Sequence, residues 1–192
     1  MTDTNVSGDS GLVLKETIPL WLAVGITVLV ALPFTLWLGP FNMATWVSFI
    51  VWASYFALGA KPAAAKTIIP AFGYGAALTG VILACIPLFG FLPSLVTPGD
   101  LAVAVPLFIG VCFLVYSMKW ATVFQTGSLP LFNGLSMVLA VYFTGSYPQV
   151  VAGPLEPLFA AAWTFLLALF GVGLGIFNIW LTFPKQVQAE NS

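Results

Sequence analysis

The sequence has no histidine and no arginine, and only 6% of its 192 residues are charged. Soluble domains carry about 25% charged residues, so an ordinary soluble domain is excluded. Acid–base catalysis relies mainly on His, Glu, Asp, Lys, Tyr or Cys in a cleft, and the few acidic residues here flank the apolar runs. We therefore expect no catalytic residues and no enzymatic activity. A net charge of −1 without a basic cluster also argues against nucleic acid as a partner.

Cysteine is scarce too. Cys85 and Cys112 lie in separate apolar runs and lack the spacing of metal ligands. Both are expected to be small apolar residues within a helix bundle. The sequence therefore predicts no metal site and no cofactor.

Apolar residues make up 60% of the chain, and its mean hydropathy is +1.07. Runs of about 20 apolar residues, each long enough to cross a bilayer, recur along it. The predicted fold is an all-α, polytopic membrane helix bundle, in which one domain (18–183) lies between polar tails (1–17 and 184–192). The first run is too long for a signal peptide and lacks a cleavage site, so it is expected to be retained. The six predicted helices are 18–38, 43–60, 66–90, 101–118, 121–145 and 157–183.

The lysines predict the orientation. All five, at positions 15, 61, 66, 119 and 185, fall on one side if the chain crosses the membrane six times. Loops rich in Lys and Arg stay in the cytoplasm. Both termini are therefore predicted to be cytoplasmic.

Small residues form a continuous face on the last predicted helix, at alternating spacings of three and four. This face predicts close helix packing, with Gly171 and Gly175 as its glycine motif; alternatively, part of it, especially Asn178, lines a polar path. The third helix carries a similar face that includes Gly73 and Gly80. The face on the last helix consists of Ala161, Thr164, Ala168, Gly171, Gly175, Asn178 and Thr182.

A shift of 60 residues aligns segment 68–75 with segment 128–135, and Pro70 with Pro130. The match suggests a parallel repeat of helix pairs, in which helices two and three correspond to helices four and five. Alternatively, both segments are simply proline-containing halves of apolar helices. Proline inside a helix kinks or breaks it, so both prolines are predicted helix breaks.

Interrupted spans in corresponding positions point to binding sites in transporters. The segment QTGSLPLFNG (125–134) contains such an interruption, and Asn133 is predicted to lie near the middle of the bilayer. Its amide both donates and accepts hydrogen bonds, which suits a neutral solute better than an ion. Phe132 and three further aromatic residues are expected to form a constriction. The predicted solute path comprises Asn133, Gln125, Ser128, Tyr55, Trp52, Tyr74 and Asn178.

The second helix reads WVSFIVWASYFA (46–57), and Pro130, Phe132 and Asn133-Gly134 follow later. These features resemble the YcdZ-like proteins, a small bacterial inner-membrane family without an established activity. The resemblance covers about 43–145 and rests mainly on Trp46, Phe49, Tyr55 and Phe56. It implies a multi-pass protein of the bacterial inner (cytoplasmic) membrane, and it brings no catalytic residues.

Three functions remain open at this point. The first is a passive channel or facilitator for small neutral polar solutes such as urea, amides or polyols, embedded in the lipid bilayer as a homo-oligomer. The second is a secondary transporter with a midplane site in broken helices. The third is a structural or partner-binding membrane subunit without transport.

Overall fold

The computed structural model describes residues 12–182 and 185–188. Helices dominate this part of the chain, and only a short strand at each end departs from the all-α prediction. The elements are β1 (Leu12–Lys15), α1 (Leu20–Leu36), α2 (Thr45–Ala57), α3 (Pro62–Cys85), α4 (Asp100–Ser117), α5 (Thr122–Thr126), α6 (Ser128–Phe143), α7 (Glu156–Thr182) and β2 (Lys185–Gln188).

Three helical stretches in the described part are long and apolar enough to cross a membrane: Pro62–Phe89, Asp100–Trp120 and Gly153–Thr182. Helices α1 and α6 are apolar but shorter. Helix α2 has 13 residues, which corresponds to a length of about 20 Å. The protein is therefore a membrane-type helical protein, and its six main helical segments have unequal lengths.

Helices α3 and α7 form the centre of the bundle and pack on each other in antiparallel directions. A methyl group placed on Gly80 would lie 2.7 Å from Cβ of Ala161, and one on Gly73 would lie 3.0 Å from the Phe165 ring. Helix α6 also packs on α3, and α2 packs on α7, while α1 and α4 lie at the periphery. The core is thus built by four helices.

The two halves of the chain are arranged alike. The third helix of each half packs on the second helix of the other: α3 on α6, and α7 on α2. The first helix of each half packs on the third helix of the other half: α1 on α7, and α4 on α3. The packing thus relates α1–α3 to α4–α7. It does not reproduce the predicted pairing of helices two and three with four and five, because α2 is central and α4 peripheral.

A short strand pair joins the two described ends of the chain. Strands β1 and β2 pair antiparallel, with Leu12 opposite Gln188 and Lys15 opposite Lys185. The Thr17 N–H also donates a 2.8 Å hydrogen bond to the Thr182 carbonyl. The tails had been expected only to be polar, and their pairing places the start of α1 next to the end of α7.

The segment before α4 is fixed by Asp100, the first residue of that helix. Its carboxylate accepts hydrogen bonds from the backbone N–H groups of Val96, Leu95, Thr97 and Leu101. These bonds, led by those from Val96 and Leu95, lower the Asp100 pKa to about 2. The carboxylate therefore stays charged and holds the loop at neutral pH.

Candidate functional site

Asn133 connects α6 to α2. Its Nδ2 donates a 2.9 Å hydrogen bond to Oγ of Ser54, and that hydroxyl donates to the Ile50 carbonyl at 2.9 Å. Ser54 is buried and Asn133 is half-buried. The predicted path residue therefore takes part in a hydrogen bond between two helices.

Asn178 makes a similar connection between α7 and α1. It is fully buried, and its Nδ2 donates a 3.1 Å hydrogen bond to Oγ1 of Thr27. Thr27 is itself buried and donates to the Ala23 carbonyl at 2.8 Å. Among the residues that the structure describes, none is a hydrogen-bond partner of Asn178 Oδ1, an atom that is inaccessible to solvent.

The predicted aromatic constriction does not form. Trp52 packs with Ala31 and Leu174, whereas Tyr55 lies in a different cluster, against Gly175. Tyr74 points toward α4 and donates a 2.7 Å hydrogen bond to Ser117. Phe132 is exposed on α6. These side chains face different helices, because α2 and α3 are each surrounded by several neighbours.

The remaining polar residues of the predicted path lie near the start of α6. Gln125 is exposed on the short helix α5, and Ser128 is the half-buried first residue of α6. The structure thus does not gather the seven predicted path residues around one cavity.

The predicted helix breaks are corrected by the structure. Pro70 lies inside α3, which continues to Cys85. Pro130 is the third residue of α6, in the first turn, where a missing N–H leaves no hydrogen bond unmade. The chain is interrupted at Gly127 instead, between α5 and α6. A side chain there would collide with Ala71 on α3, so the interruption lies directly against α3.

The small-residue face of α7 is buried along its whole length. Gly171 lies against the Ser48 backbone, and a methyl group on Gly175 would come within 2.8 Å of the Tyr55 ring. Leu174, which does not belong to this face, is buried as well, because α1 covers a second side of α7. On α3, Gly80 is buried and Gly73 half-buried.

A polar cavity of about 360 Å³ opens at the end of α1 away from the strand pair. Thr35, Asn42 and Thr45 line it on one side, and Ser146 and Tyr147 line it on the other. The hydroxyls of Thr35 and Thr45 are hydrogen-bonded at 2.8 Å. No acidic or basic side chain is among its lining residues. We call it the loop cavity.

One wall of the loop cavity is fixed by Tyr147, whose hydroxyl donates a hydrogen bond to Oε1 of Glu156. Burial, followed by this hydrogen bond, raises the pKa of Tyr147 to about 12. Sequence reasoning treated both loops as simple connections and missed this cavity. One signal was available in the sequence: both loops contain polar residues, and the lysine pattern predicts that they lie on the same side of the membrane.

A second cavity, of about 590 Å³, is an apolar groove between α3 and α7. Its walls are formed by small and aliphatic residues such as Gly73, Ala77 and Ala161, and Pro70 also lines it. Neither of these two cavities includes Asn133 or Asn178 in its lining.

Comparison with known proteins identifies the family of the chain. No curated protein and no solved structure matches the chain. A family model described as "Protein of unknown function (DUF1097)" matches residues 22–183, which include all seven helices except the first two residues of α1. This membrane-type helical protein therefore belongs to the DUF1097 family of proteins of unknown function.

Proposed function

We propose that this protein is a facilitator for small neutral polar solutes, such as urea, amides or short polyols, in the bacterial inner membrane. The observation that carries the proposal is the loop cavity, where hydroxyl and amide groups meet without any charged side chain in the lining. Such a lining selects solutes by size and hydrogen bonding. The proposal includes no catalytic role.

The proposal places six spans in the bilayer and both termini in the cytoplasm. The pairing of β1 with β2 supports an even number of spans, because it brings the two ends of the bundle together. The loop cavity then faces the periplasm. Helices α2 and α6 are short for membrane spans. They fit in the bilayer if neighbouring helices, rather than lipid, cover the non-helical backbone next to their ends.

The proposed path continues from the loop cavity along α2. Thr45 borders the cavity, and Ser48 and Trp52 follow on the same face of the helix. The path is closed at Ser48, whose hydroxyl donates to the Leu167 carbonyl at 2.8 Å and whose backbone touches Gly171. Solute passage therefore requires α2 and α7 to separate, so the facilitator is gated.

A secondary transporter is the second candidate, and the arrangement of the two halves favours it. If all six segments cross the membrane, each half contributes three spans, so the halves have opposite orientations. Many transporters use such inverted repeats for alternating access. Solute accumulation against a gradient, driven by sodium, would support the transporter, whereas flux that only equalises concentrations supports the facilitator.

The test is stopped-flow swelling of proteoliposomes in urea, acetamide and glycerol. We expect wild-type protein to increase the permeability to at least one solute by about fivefold or more over empty liposomes. Thr45→Trp should fill the loop cavity and abolish most of this increase. Thr126→Val, an exposed hydroxyl on α5, is the matched control and should conduct normally. The proposal fails if no solute enters faster than into empty liposomes.

Two finer features belong to the same proposal. Homo-oligomerisation is expected because channels for small solutes commonly work as assemblies, and light scattering of the detergent-solubilised protein measures it. The YcdZ-like identity rests on the aromatic motif of 46–57. A non-transporting partner subunit is the alternative if the purified protein conducts nothing.

A further inference from the structure

We propose that α1, α2 and α7 enclose a binding site for one small neutral molecule that both donates and accepts hydrogen bonds. The site lies between Asn178 and Trp52, and water and primary amides share the required chemistry. The inference deepens the proposed function, and it rests on that function for the identity of the transported ligand.

The acceptor of the site is Oδ1 of Asn178. The Thr27 hydroxyl uses its proton on the Ala23 carbonyl, so Thr27 accepts from the Asn178 amide nitrogen. This orients the amide and leaves Oδ1 without a partner in the described part of the chain. Asn178 is 0% exposed. A buried carbonyl oxygen without a partner is unfavourable, so a ligand that donates to it is stabilised there.

The donor of the site is Nε1 of Trp52, which is also inaccessible and has no partner within 12–182 and 185–188. The Trp52 side chain is 6% exposed and packs with Ala31 and Leu174. Leu174 is four residues before Asn178 on α7, which is about 6 Å along the helix. The proposed molecule bridges Nε1 of Trp52 and Oδ1 of Asn178 with two hydrogen bonds of about 2.8–3.0 Å.

Among the described residues, one buried acceptor without a partner is available to pair with the Trp52 indole. Trp163 also has a buried indole N–H without a partner, but Asn178 Oδ1 is the one buried side-chain acceptor that lacks one there. Trp163 lies near Phe41, whose ring centroid is 6.4 Å away. Trp163 therefore serves as an internal control for a buried indole without a matching acceptor.

The ligand must be neutral and small. Apolar side chains, among them Ala31, Leu174 and Phe170, pack around Trp52, and an unpaired charge buried against them would be costly. Thr45 of the loop cavity is seven residues before Trp52 on the same face of α2, which is about two helical turns. A molecule from the loop cavity would therefore reach this site next along the proposed path.

The experiment uses the full chain in lipid bilayers with ¹⁵N-labelled tryptophan indoles. Magnetisation transfer to each of the seven indole N–H groups is measured first from water and then from the methyl protons of added acetamide. Trp52→Phe and Trp163→Phe assign the two signals. We expect contact with water or acetamide at Trp52 and none at Trp163. The two arms distinguish water from an amide as the occupant.

Asn178→Leu should remove the contact at Trp52 and leave the other indole signals in place. The inference is overturned if Trp52 contacts neither probe, if Trp163 gives the same signal, or if the folded Asn178→Leu variant keeps the contact. If that variant does not fold, the wild-type comparison of the two tryptophans decides. An occupied site without solute flux refutes only the proposed function, whereas flux with an empty site refutes only this inference.

Discussion

Substitution of Gly134 by alanine tests the contact between α3 and α6 most directly. A methyl group on Gly134 would lie 2.9 Å from the Ala76 backbone nitrogen and even closer to the Phe72 carbonyl oxygen. Both obstacles are backbone atoms of a central helix, so they cannot rotate away as a side chain would. Helix α6 must instead move outward along much of its contact with α3.

The expected magnitude follows from two opposing terms. Overpacking of a core costs about 1–3 kcal/mol, and the rigid backbone puts this site at the upper end. Replacing glycine by alanine within a helix returns about 1 kcal/mol. The net loss is therefore about 2 kcal/mol, which lowers Tm by about 4–8 °C for a chain of this size.

Thermal unfolding of the purified protein, followed by tryptophan fluorescence, measures this loss. Gly173→Ala is the matched control, because a methyl group at this position of α7 meets nothing within 4 Å. We expect its Tm to equal or exceed that of wild type. The reasoning is refuted if Gly134→Ala is as stable as wild type, or if both variants lose stability equally.

Three further outcomes are expected. The lowered Asp100 pKa stabilises the loop before α4 above pH 3.8 and loses this effect as pH falls toward 2, so Asp100→Asn should speed amide exchange there at neutral pH. Because its pKa is raised, Tyr147 stays protonated and bonded to Glu156 above pH 10 and loses this bond only as the pH approaches about 12. Tyr147→Phe should therefore remove a step at high pH from the ultraviolet titration of the tyrosines. In a chain without the two native cysteines, a cysteine at Gly153 should react with an impermeant thiol reagent outside cells, and one at Lys61 should not.

The positions of the helices could be predicted from the sequence because hydropathy and loop residues act locally. The structure has helical segments within or close to each predicted range. The sequence predicted the interruption at Pro130, whereas the structure has it at Gly127. Proline is compatible with the first turn of a helix, but the longer predicted helix 121–145 put Pro130 in its interior. The strand pair could not be predicted, since it joins segments from opposite ends of the chain.

The packing faces were predictable only in part. Spacing on α7 identified a buried face, whose members contact α3 at Ala161 and α2 at Gly171. Leu174 lies outside that face yet is buried too, since α1 covers another side of the helix. On α3, spacing pointed to Gly73, whereas Gly75 makes the closest approach, against the Leu131 carbonyl of α6. A helix with neighbours on several sides has no single face that periodicity can reveal.

The candidate site was hardest to predict because it depends on which loops meet. Thr35 and Ser146 are far apart in sequence, and only the folded bundle brings both into the lining of the loop cavity. Asn178 was singled out from the small-residue face of α7 as a candidate path residue. Its connection to Thr27, 151 residues away, could not be read from spacing.

The central position of α7 has a consequence for biosynthesis. This helix contacts α1, α2, α3 and α6, but it is the last of them to leave the ribosome. At about 5–20 residues per second, Thr27 waits about 8–30 s for Asn178 to be made. During that interval α1 and α2 lack the neighbour that separates their inner faces from lipid. A chain truncated before Glu156 would keep these faces exposed, which would distinguish it from the finished protein for membrane quality control.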